Sequence, residues 1–570
     1  MIPVKNIYND QEVKERTNAL LDVNKAPEII PEVIDFDYDA RDRVGVIDSL
    51  WEDSGLHEWI RSLPITEGGK YHIWNLLRQP TYNTELLEAR QKAYETIPDS
   101  MADKLREIAE YEKDVSWLFT LPPLKEAYPI NILFPSIPIL NNINKLPYFL
   151  TLFHIYRISI MPWFNLVSPI VTIFSPWFYL KKINVNISLK TYFHAVWKGI
   201  KMGISGGIGS PKFTKNLTIL IYFGLYIYGI VQTFESAHML YKIRENLAQK
   251  TENIRKFVAT SQELIQSVPL ETIKSFAYDY TLRKEYKLSQ GLSGLYNILT
   301  EKPIQGVLLS LLRGVYALDV CTSLKNLVAT KTCCKVTYID AETRIWNMGH
   351  VVLPVDQVRN PVSLKQSLII TGPNAAGKTT YVRAICTNYI LAQTFGIANG
   401  LKAEINPVHA IGSFIRISDE LGRLSLFEAE TKRCADLIKQ AEDISNAGQR
   451  AIYFLDEPMH STPPIEGSAT SMAVIEHIGK LPGIKLLVTT HYHDLISLDN
   501  KYFKNLSVEA HLVESHPEKC SYKFKFPYKI KKGSSTQCIA IELLSDKDLP
   551  LNVIRRAIEV KNKLYPNIIN

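Results

Sequence analysis

Thr371-Gly372-Pro373-Asn374-Ala375-Ala376-Gly377-Lys378-Thr379-Thr380 is the stretch on which the reading of this chain turns. From Gly372 to Thr379 it fits the pattern G-x4-G-K-[ST], and its flanks supply the context such a loop needs. Leu368-Ile369-Ile370 before it is an apolar run of the kind that forms a buried strand, and Thr380 to Gln393 after it reads as a helix. Strand, glycine-rich loop and helix in that order make a seat for phosphate. Loop N–H groups point inward and the positive end of the helix faces the anion. The motif predicts ATP held by Gly372, Pro373, Asn374, Ala375, Ala376, Gly377, Lys378, Thr379 and Thr380. Lys378 would neutralise the β- and γ-phosphates, and the Thr379 hydroxyl would ligate Mg²⁺.

Two further strands end in reactive side chains. Ala451-Ile452-Tyr453-Phe454-Leu455 leads into Asp456-Glu457. Asp456 is expected to hold Mg²⁺, directly or through water, and Glu457 to polarise an attacking water. An acidic pair after a strand is often no more than a solvated turn, so the P-loop upstream gives this one its weight. Leu486-Leu487-Val488-Thr489-Thr490 delivers His491, placed to meet a γ-phosphate or the attacking water. A lone histidine is more often structural. Three strand ends converging on one crevice of an α/β sheet favour a catalytic role for Glu457 and His491.

These residues resemble the ATPase core of the MutS family, the clamp proteins of DNA mismatch repair. TGPNAAGKTTYVR (residues 371–383), FLDEP (454–458) with Glu466-Gly467, and TTHYHDL (489–495) carry the likeness. So does ISDELGRLSLFEAET (417–431), which is similar to an ABC-type signature segment, with Ser425 at its serine and Glu430 at the following glutamate. Phe526-Pro527-Tyr528-Lys529 and the stretch from Leu549-Pro550 to Ala557 look like the closing segment. WNLLRQPTYNTELLEARQ (74–91) is similar to the family's core domain. The resemblance implies an ABC-type P-loop ATPase fold, hydrolysis of ATP with Mg²⁺, and DNA as ligand. Since the signature serine completes the partner subunit's site in that family, it also implies a homodimer in which Ser425 contributes to nucleotide binding. Three departures qualify it. The core pattern begins by about residue 45, leaving no room before it for a mismatch-binding domain, and no Phe-x-Glu wedge precedes it. Gly349-His350-Val351 stands in place of Arg-His-Pro, and Met459-His460-Ser461 in place of Gly-Arg-Gly. Recognition of DNA through shape or backbone is therefore expected, rather than by a wedge.

Outward from the motifs, the chain reads as an α/β P-loop domain over 336–570, preceded by a mostly helical core and lever domain that a hydrophobic insert interrupts. Residues 1–40 read as a polar N-terminal tail, 41–145 as the first half of the helical domain and 239–335 as its second half. Leu240, Ile243, Leu247, Ile254, Phe257 and Leu264 are spaced for one face of a long helix that Pro269 stops. Between the halves, 146–238 changes character. Ile158–Leu180 runs 23 residues without a charge and Asn216–Phe234 runs 19. Both reach membrane-spanning length. Seven lysines (181, 182, 190, 198, 201, 212 and 215) and no acidic residue lie between them.

Three readings of the insert stand side by side. It is a re-entrant or interfacial anchor, a spanning hairpin, or a soluble domain with a basic tip for DNA phosphates. A hairpin with its ends in the cytosol would carry the lysines to the far side, against the usual bias, and Pro162, Pro169 and Pro176 suit a straight helix poorly. A membrane partner would be met through 158–180 and 216–234. On that alternative the chain is a membrane-associated scaffold or remodelling ATPase with no role for DNA. An ABC transporter fits less well, because two apolar runs are few and the signature lacks the transporter's Leu-Ser-Gly-Gly-Gln.

Bulk composition sets looser bounds. A net charge of +7 over 570 residues permits nucleic acid or anionic lipid without demanding either. The seven cysteines show no metal-ligand spacing and no even framework, and the N-terminus has no signal-peptide core. An intracellular, reducing location is expected, with the cytosolic face of a membrane as a variant of it.

Overall fold

A computed structural model describes residues 42–46, 55–119, 133–134, 143–204, 212–278, 280–281, 285–414, 426–516, 521–546 and 549–564. The expected tail over 1–40 and Ser425 lie outside these residues. The chain divides into two compact units. A sheet unit comprises Ile34–Arg106, Leu264–Leu282 and Leu312–Asn570, and a helical unit comprises Met1–Val33, Glu107–Glu263 and Arg283–Leu311.

Seven strands form the main sheet: β1 (Gly45–Val46), β2 (Ser367–Thr371), β3 (Ala410–Phe414), β4 (Ala451–Asp456), β5 (Ile484–Thr489), β6 (Phe503–Val508) and β7 (Ile530–Lys532). Their spatial order is β1-β3-β4-β5-β2-β6-β7, parallel throughout except for the β6–β7 edge pair. Strands β2 and β3 are buried at every residue, as a parallel sheet covered on both faces requires. Helices Leu426–Asn446 and Pro464–Lys480 send Cys434, Leu437, Ala441, Ile475 and Ile478 into one core with Tyr453, Leu455, Leu486 and Val488. Helix Lys378–Phe395, which leaves the P-loop, is buried along nearly its whole length. A second sheet of five short strands, Asn360–Ser363, Arg344–Met348, Lys402–Ile405, Cys334–Tyr338 and Ile397–Ala398, stands beside it.

The N-terminal helices of this unit are tied to the P-loop helix by polar side chains. Asn83 caps Thr84–Thr96 by accepting from Leu86 N at 3.0 Å, a contact that satisfies a donor the helix leaves free. On that helix Arg90 donates to Ser275 O (2.9 Å) and to Thr394 O, and Gln91 donates to Val336 O and Gly396 O, both at 2.8 Å. Thr66 caps Glu67–Leu77, and the buried carboxylate of Asp319 accepts from Ile65 N, Thr66 N and Thr66 Oγ1 at 3.0, 2.7 and 2.6 Å. Each of these buried polar groups has a partner, which is the condition for leaving water.

His72 lies fully buried with Nε2 donating to Phe276 O at 2.9 Å, and burial pulls its pKa down to about 3. The folded chain thus keeps His72 neutral at a pH where the unfolded chain, with a pKa of about 6.5, binds a proton. Stability should be intact above about pH 6.5 and fall by about 1.4 kcal/mol per pH unit from this residue as the pH drops towards 3. Urea melts at about pH 7, 6 and 5 should show a shallower acid dependence for His72→Gln, which keeps an N–H for Phe276. Identical slopes in the two proteins would refute the assignment.

In the helical unit a single helix, Lys212–Gln266, carries both the second uncharged run and the long apolar face. Ile243, Leu247, Ile254, Phe257 and Leu264 are buried on it as their spacing predicts, and it ends three residues before Pro269. Asp114 fixes it to helix Met101–Phe119 by accepting from Lys250 Nζ at 2.8 Å and Asn253 Nδ2 at 2.6 Å. The first uncharged run is helical too. Helix Pro147–Ile155 passes through a π-helical turn, Tyr156–Ile160, into Met161–Lys182. Against the expectation drawn from its prolines, that helix continues through Pro169 and Pro176. Neighbouring hydroxyls reach the carbonyls three residues before each proline. Tyr226 Oη lies 3.5 Å from Leu166 O, and Tyr192 Oη donates to Ile173 O at 2.6 Å. These hydroxyls tie the helix to its neighbours one residue past Asn165 and Thr172, whose carbonyls lose their helical donor to the prolines.

Candidate functional site

Parallel neighbours bring their C-terminal ends to one edge of a sheet, and here β4, β5 and β2 lie side by side. The register pairs Thr489 with both Asp456 and Ile370, so the three strands finish level. The P-loop, the Asp456-Glu457 pair and His491 follow from those ends. The sequence led to the expectation that these ends converge on one crevice, and the strand order brings them together.

The loop itself depends on two glycines. Gly372 has φ 151°, and a Cβ there would sit 2.3 Å from Val508 O. Gly377 has φ 93° and opens helix Lys378–Phe395. A side chain is excluded sterically at the first and strained at both. Lys378 is 5% exposed and its Nζ donates to Gly372 O at 2.9 Å and Pro373 O at 3.3 Å. Burial lowers its pKa from the usual lysine value, while Glu457 and Asp456 act in the opposite direction.

The carboxylates are held differently. Asp456 Oδ1 accepts from Thr379 Oγ1 at 3.0 Å and from Thr489 Oγ1, so the two residues expected to bind Mg²⁺ are in contact. Glu457 is a non-glycine residue with φ 50°. Its Oε1 lies 2.6 Å from His491 Nε2 and 3.9 Å from Lys378 Nζ, and His491 Nε2 is 3.3 Å from Lys378 Nζ. The hydrogen bond from His491, with the charges of His491 and Lys378 behind it, holds the Glu457 carboxyl below the usual range. A glutamate kept ionised beside a strand end can orient a water molecule.

An open crevice of about 670 Å³ runs beside the loop, lined by the P-loop from Pro373 to Thr380, by Glu457 and by Met348 to Asn360 of the second sheet's edge. Tyr528 closes its rim, a residue the sequence placed only in a closing segment. Its Cδ1 would stand 3.1 Å from a Cβ at Gly377, and Asn360 clamps it by donating to Tyr528 O and accepting from Ile530 N, both at 2.9 Å. Tyr528 itself holds a left-handed φ of 53°. His350 faces the same crevice, and Gln357 holds its backbone by accepting from His350 N (2.6 Å) and donating to His350 O (2.8 Å).

Glu430 proves to be an anchor. It is fully buried, with His460 Nδ1 2.7 Å from its Oε1 and with Ser461 N (3.3 Å) and Ser461 Oγ donating to Oε2. The segment Met459-His460-Ser461 is thus pinned to the helix that follows the signature segment. Among the described residues no cluster of three His, Cys, Asp or Glu side chains could cage a metal. A hydroxyl and a carboxylate in contact are instead a hard-oxygen pair of the kind that holds Mg²⁺ together with phosphate oxygens and water.

Residues 368–565 match the family described as MutS domain V. Over longer stretches the chain is similar to DNA mismatch repair proteins MutS. That of Geobacillus sp. (strain WCH70) is 27% identical over 371 residues, which cover 63% of this chain and 40% of that protein. That of Clostridium tetani (strain Massachusetts / E88) is 34% identical over 207 residues, 35% of this chain and 22% of that protein. That of Rhodopirellula baltica is 27% identical over 295 residues, half of this chain and 32% of that protein. The chain spans less than half the length of these relatives.

Proposed function

From the match of residues 368–565 to MutS domain V we propose that the chain is a MutS-like ATPase that binds DNA and works as a dimer. The observation that carries the reading is the convergence of Lys378, Thr379, Asp456, Glu457 and His491 at the level ends of three adjacent parallel strands.

The phosphates of ATP lie against the N–H groups of the loop from Gly372 to Thr380, at the N-terminus of helix Lys378–Phe395. Lys378 exchanges its contacts with Gly372 O and Pro373 O for the β- and γ-phosphates. Thr379 and Asp456 hold Mg²⁺, which when bound neutralises charge that develops on the phosphate oxygens. Glu457 orients the attacking water, and His491 keeps it ionised and reaches the γ-phosphate side of the site. The fold of the domain is of the ABC type. Ser425, in the signature segment, completes the nucleotide site of a second copy, so each dimer has two composite sites. DNA is recognised through its shape or backbone.

Tyr528 is the residue best placed to stack on the adenine, since an aromatic ring at the rim of a phosphate-binding crevice offers a base a flat apolar face. Stacking of a base on an aromatic ring is worth about 1–3 kcal/mol. Tyr528→Ala should therefore raise the KM for ATP on the order of tenfold, with kcat little changed, while Tyr528→Phe stays near wild type. A KM that ignores both substitutions would remove Tyr528 from the site.

The function is tested by the ATPase rate of the purified chain, titrated with homoduplex, mismatched and branched DNA at several salt concentrations. The proposal expects stimulation by DNA that weakens as salt rises, because phosphate neutralisation releases counterions. A rate that no DNA alters, with no measurable DNA affinity, would overturn it. It would leave the reading of a membrane-bound ATPase, which the exposed apolar helices favour.

A further inference from the structure

The two uncharged runs of the helical unit lie at one level. Trp163 on helix Met161–Lys182 meets Phe234 on helix Lys212–Gln266 with ring centroids 5.6 Å apart, and Tyr226 Oη is 3.5 Å from Leu166 O. These contacts make the two helices antiparallel and set their register. Trp163 then stands level with Phe234 and Leu166 near Tyr226, so the two uncharged runs overlap along most of their length. Charges return beyond the overlap at both ends. Arg157 and Glu235 bound the runs on the side where the chain enters and leaves, and Lys181, Lys182, Lys212 and Lys215 bound them on the other. At 1.5 Å per residue the runs of 23 and 19 residues are about 35 and 28 Å long. The hydrocarbon core of a bilayer is about 30 Å thick.

The outer surface of this charge-free slab is apolar and uncovered. Trp163, Phe164, Val171 and Phe178 are 55–64% exposed on one helix, and Leu225 and Tyr228 are 59% and 61% exposed on the other. Sequence hydropathy alone would not distinguish this from a protein core. Pro303–Ala329 has a window of the same mean hydropathy, 1.5, but 78% of that window is buried, against 6% for Pro147–Lys182. At the lysine end Trp177, Phe178 and Tyr179 form an aromatic fringe, with Lys181 Nζ 5.3 Å from the Trp177 ring. Helix Leu189–Ile204 follows, packed on the Met161–Lys182 helix through Tyr192. Unlike its neighbours it is two-faced, with Leu189, Tyr192, Phe193, Val196 and Trp197 on one side and Lys190, His194 and Lys198 on the other.

We propose that helices Met161–Lys182 and Lys212–Gln266 form a hairpin that crosses a lipid bilayer. A protein partner gives no reason for charge to vanish from both helices where they run side by side and return beyond that stretch, whereas a hydrocarbon layer does. A chain lying flat on a membrane would alternate polar and apolar faces, as Leu189–Ile204 does and the other two helices do not. Lys181 and Lys182 meet anionic headgroups. The lysines oppose translocation of the tip, so the experiment reads sidedness directly. The inference does not depend on the ATPase reading.

The full chain is reconstituted into sealed vesicles of phosphatidylcholine with a quarter phosphatidylglycerol. Ser188→Cys at the tip and Glu85→Cys on the sheet unit are labelled with a membrane-impermeant maleimide, each read as the increment over the parent. The protein should resist alkaline carbonate, the two positions should be reached from outside to complementary extents, and detergent should expose both fully. Full access to both positions in intact vesicles overturns the crossing. So does a chain that is monodisperse without detergent and does not float with vesicles. Val171→Lys combined with Ile227→Lys puts charge in the middle of the slab and should move most of the protein into the supernatant. An unchanged distribution between vesicles and supernatant would also defeat the proposal.

Discussion

Lys378→Ala should remove most of the affinity for ATP. Lys378 is the cation buried in the loop, with Nζ against Gly372 O, Pro373 O and the His491–Glu457 pair. Burial has already stripped its ammonium of water, so a phosphate replaces carbonyl partners rather than a hydration shell. Loss of one member of a buried, charge-assisted pair costs about 2–5 kcal/mol, roughly 30- to 5,000-fold in Kd. Equilibrium binding of a fluorescent ATP analogue reads the loss. A circular dichroism melt shows whether the variant is folded, which is expected because Lys378→Ala removes no apolar packing of the sheet. Hydrolysis at the wild-type rate would mean that this loop is not the catalytic nucleotide site.

Glu457→Gln should separate binding from turnover. The amide keeps the size of the side chain but cannot carry the charge that His491 and Lys378 stabilise in the carboxylate. General-base contributions are typically 10²–10⁴-fold, and kcat should fall by about that much while ATP binding persists. If Ser425 reaches the nucleotide of a second copy, slowed hydrolysis should also hold the dimer together. Light scattering with ATP and Mg²⁺ would then give the dimer mass for Glu457→Gln and a monomer without nucleotide. A variant that binds ATP, turns over slowly and stays monomeric would preserve Glu457 as the base but remove the composite site. A kcat near wild type would remove Glu457 as well. The wild-type enzyme should also lose activity in acid only below the ordinary glutamate pKa of about 4.3, provided it remains folded. The carboxyl is held low, so its charge is present at neutral pH and lost as the pH falls through its depressed value.

Parts of this site that lie close together in the chain were open to reading from the residues. The loop Gly372–Thr379, the acidic pair after Ala451–Leu455 and His491 after Leu486–Thr490 each announce themselves within ten residues, because an apolar strand must end in a polar turn. The long helical face from Ile243 to Leu264 was equally plain from its spacing. Other parts gave weaker signals. Tyr528 is one aromatic among many in the sequence, and only the clamp by Asn360, 168 residues away, turns it to the P-loop. Glu430 looked like a signature residue, and its burial beneath His460 and Ser461 depends on two elements meeting that the chain does not join directly. Prolines at 162, 169 and 176 argued locally against a straight helix, yet the helix runs on through Pro169 and Pro176.

The sequence by itself therefore determined the chemical inventory of this protein: a loop of the P-loop pattern, an acidic pair and a histidine each following an apolar strand, and two runs too apolar to be loops. Those properties reside in side chains and in stretches a few residues long. Tertiary structure alone decided what the inventory becomes. Strand order β4-β5-β2 levels three strand ends into one site, Arg90 and Gln91 dock the N-terminal helices on the P-loop helix, and an antiparallel register lays two uncharged runs side by side. The reason is physical: each of these depends on which surfaces bury each other across hundreds of residues, a choice made by the free energy of the whole packed chain and not by any one segment.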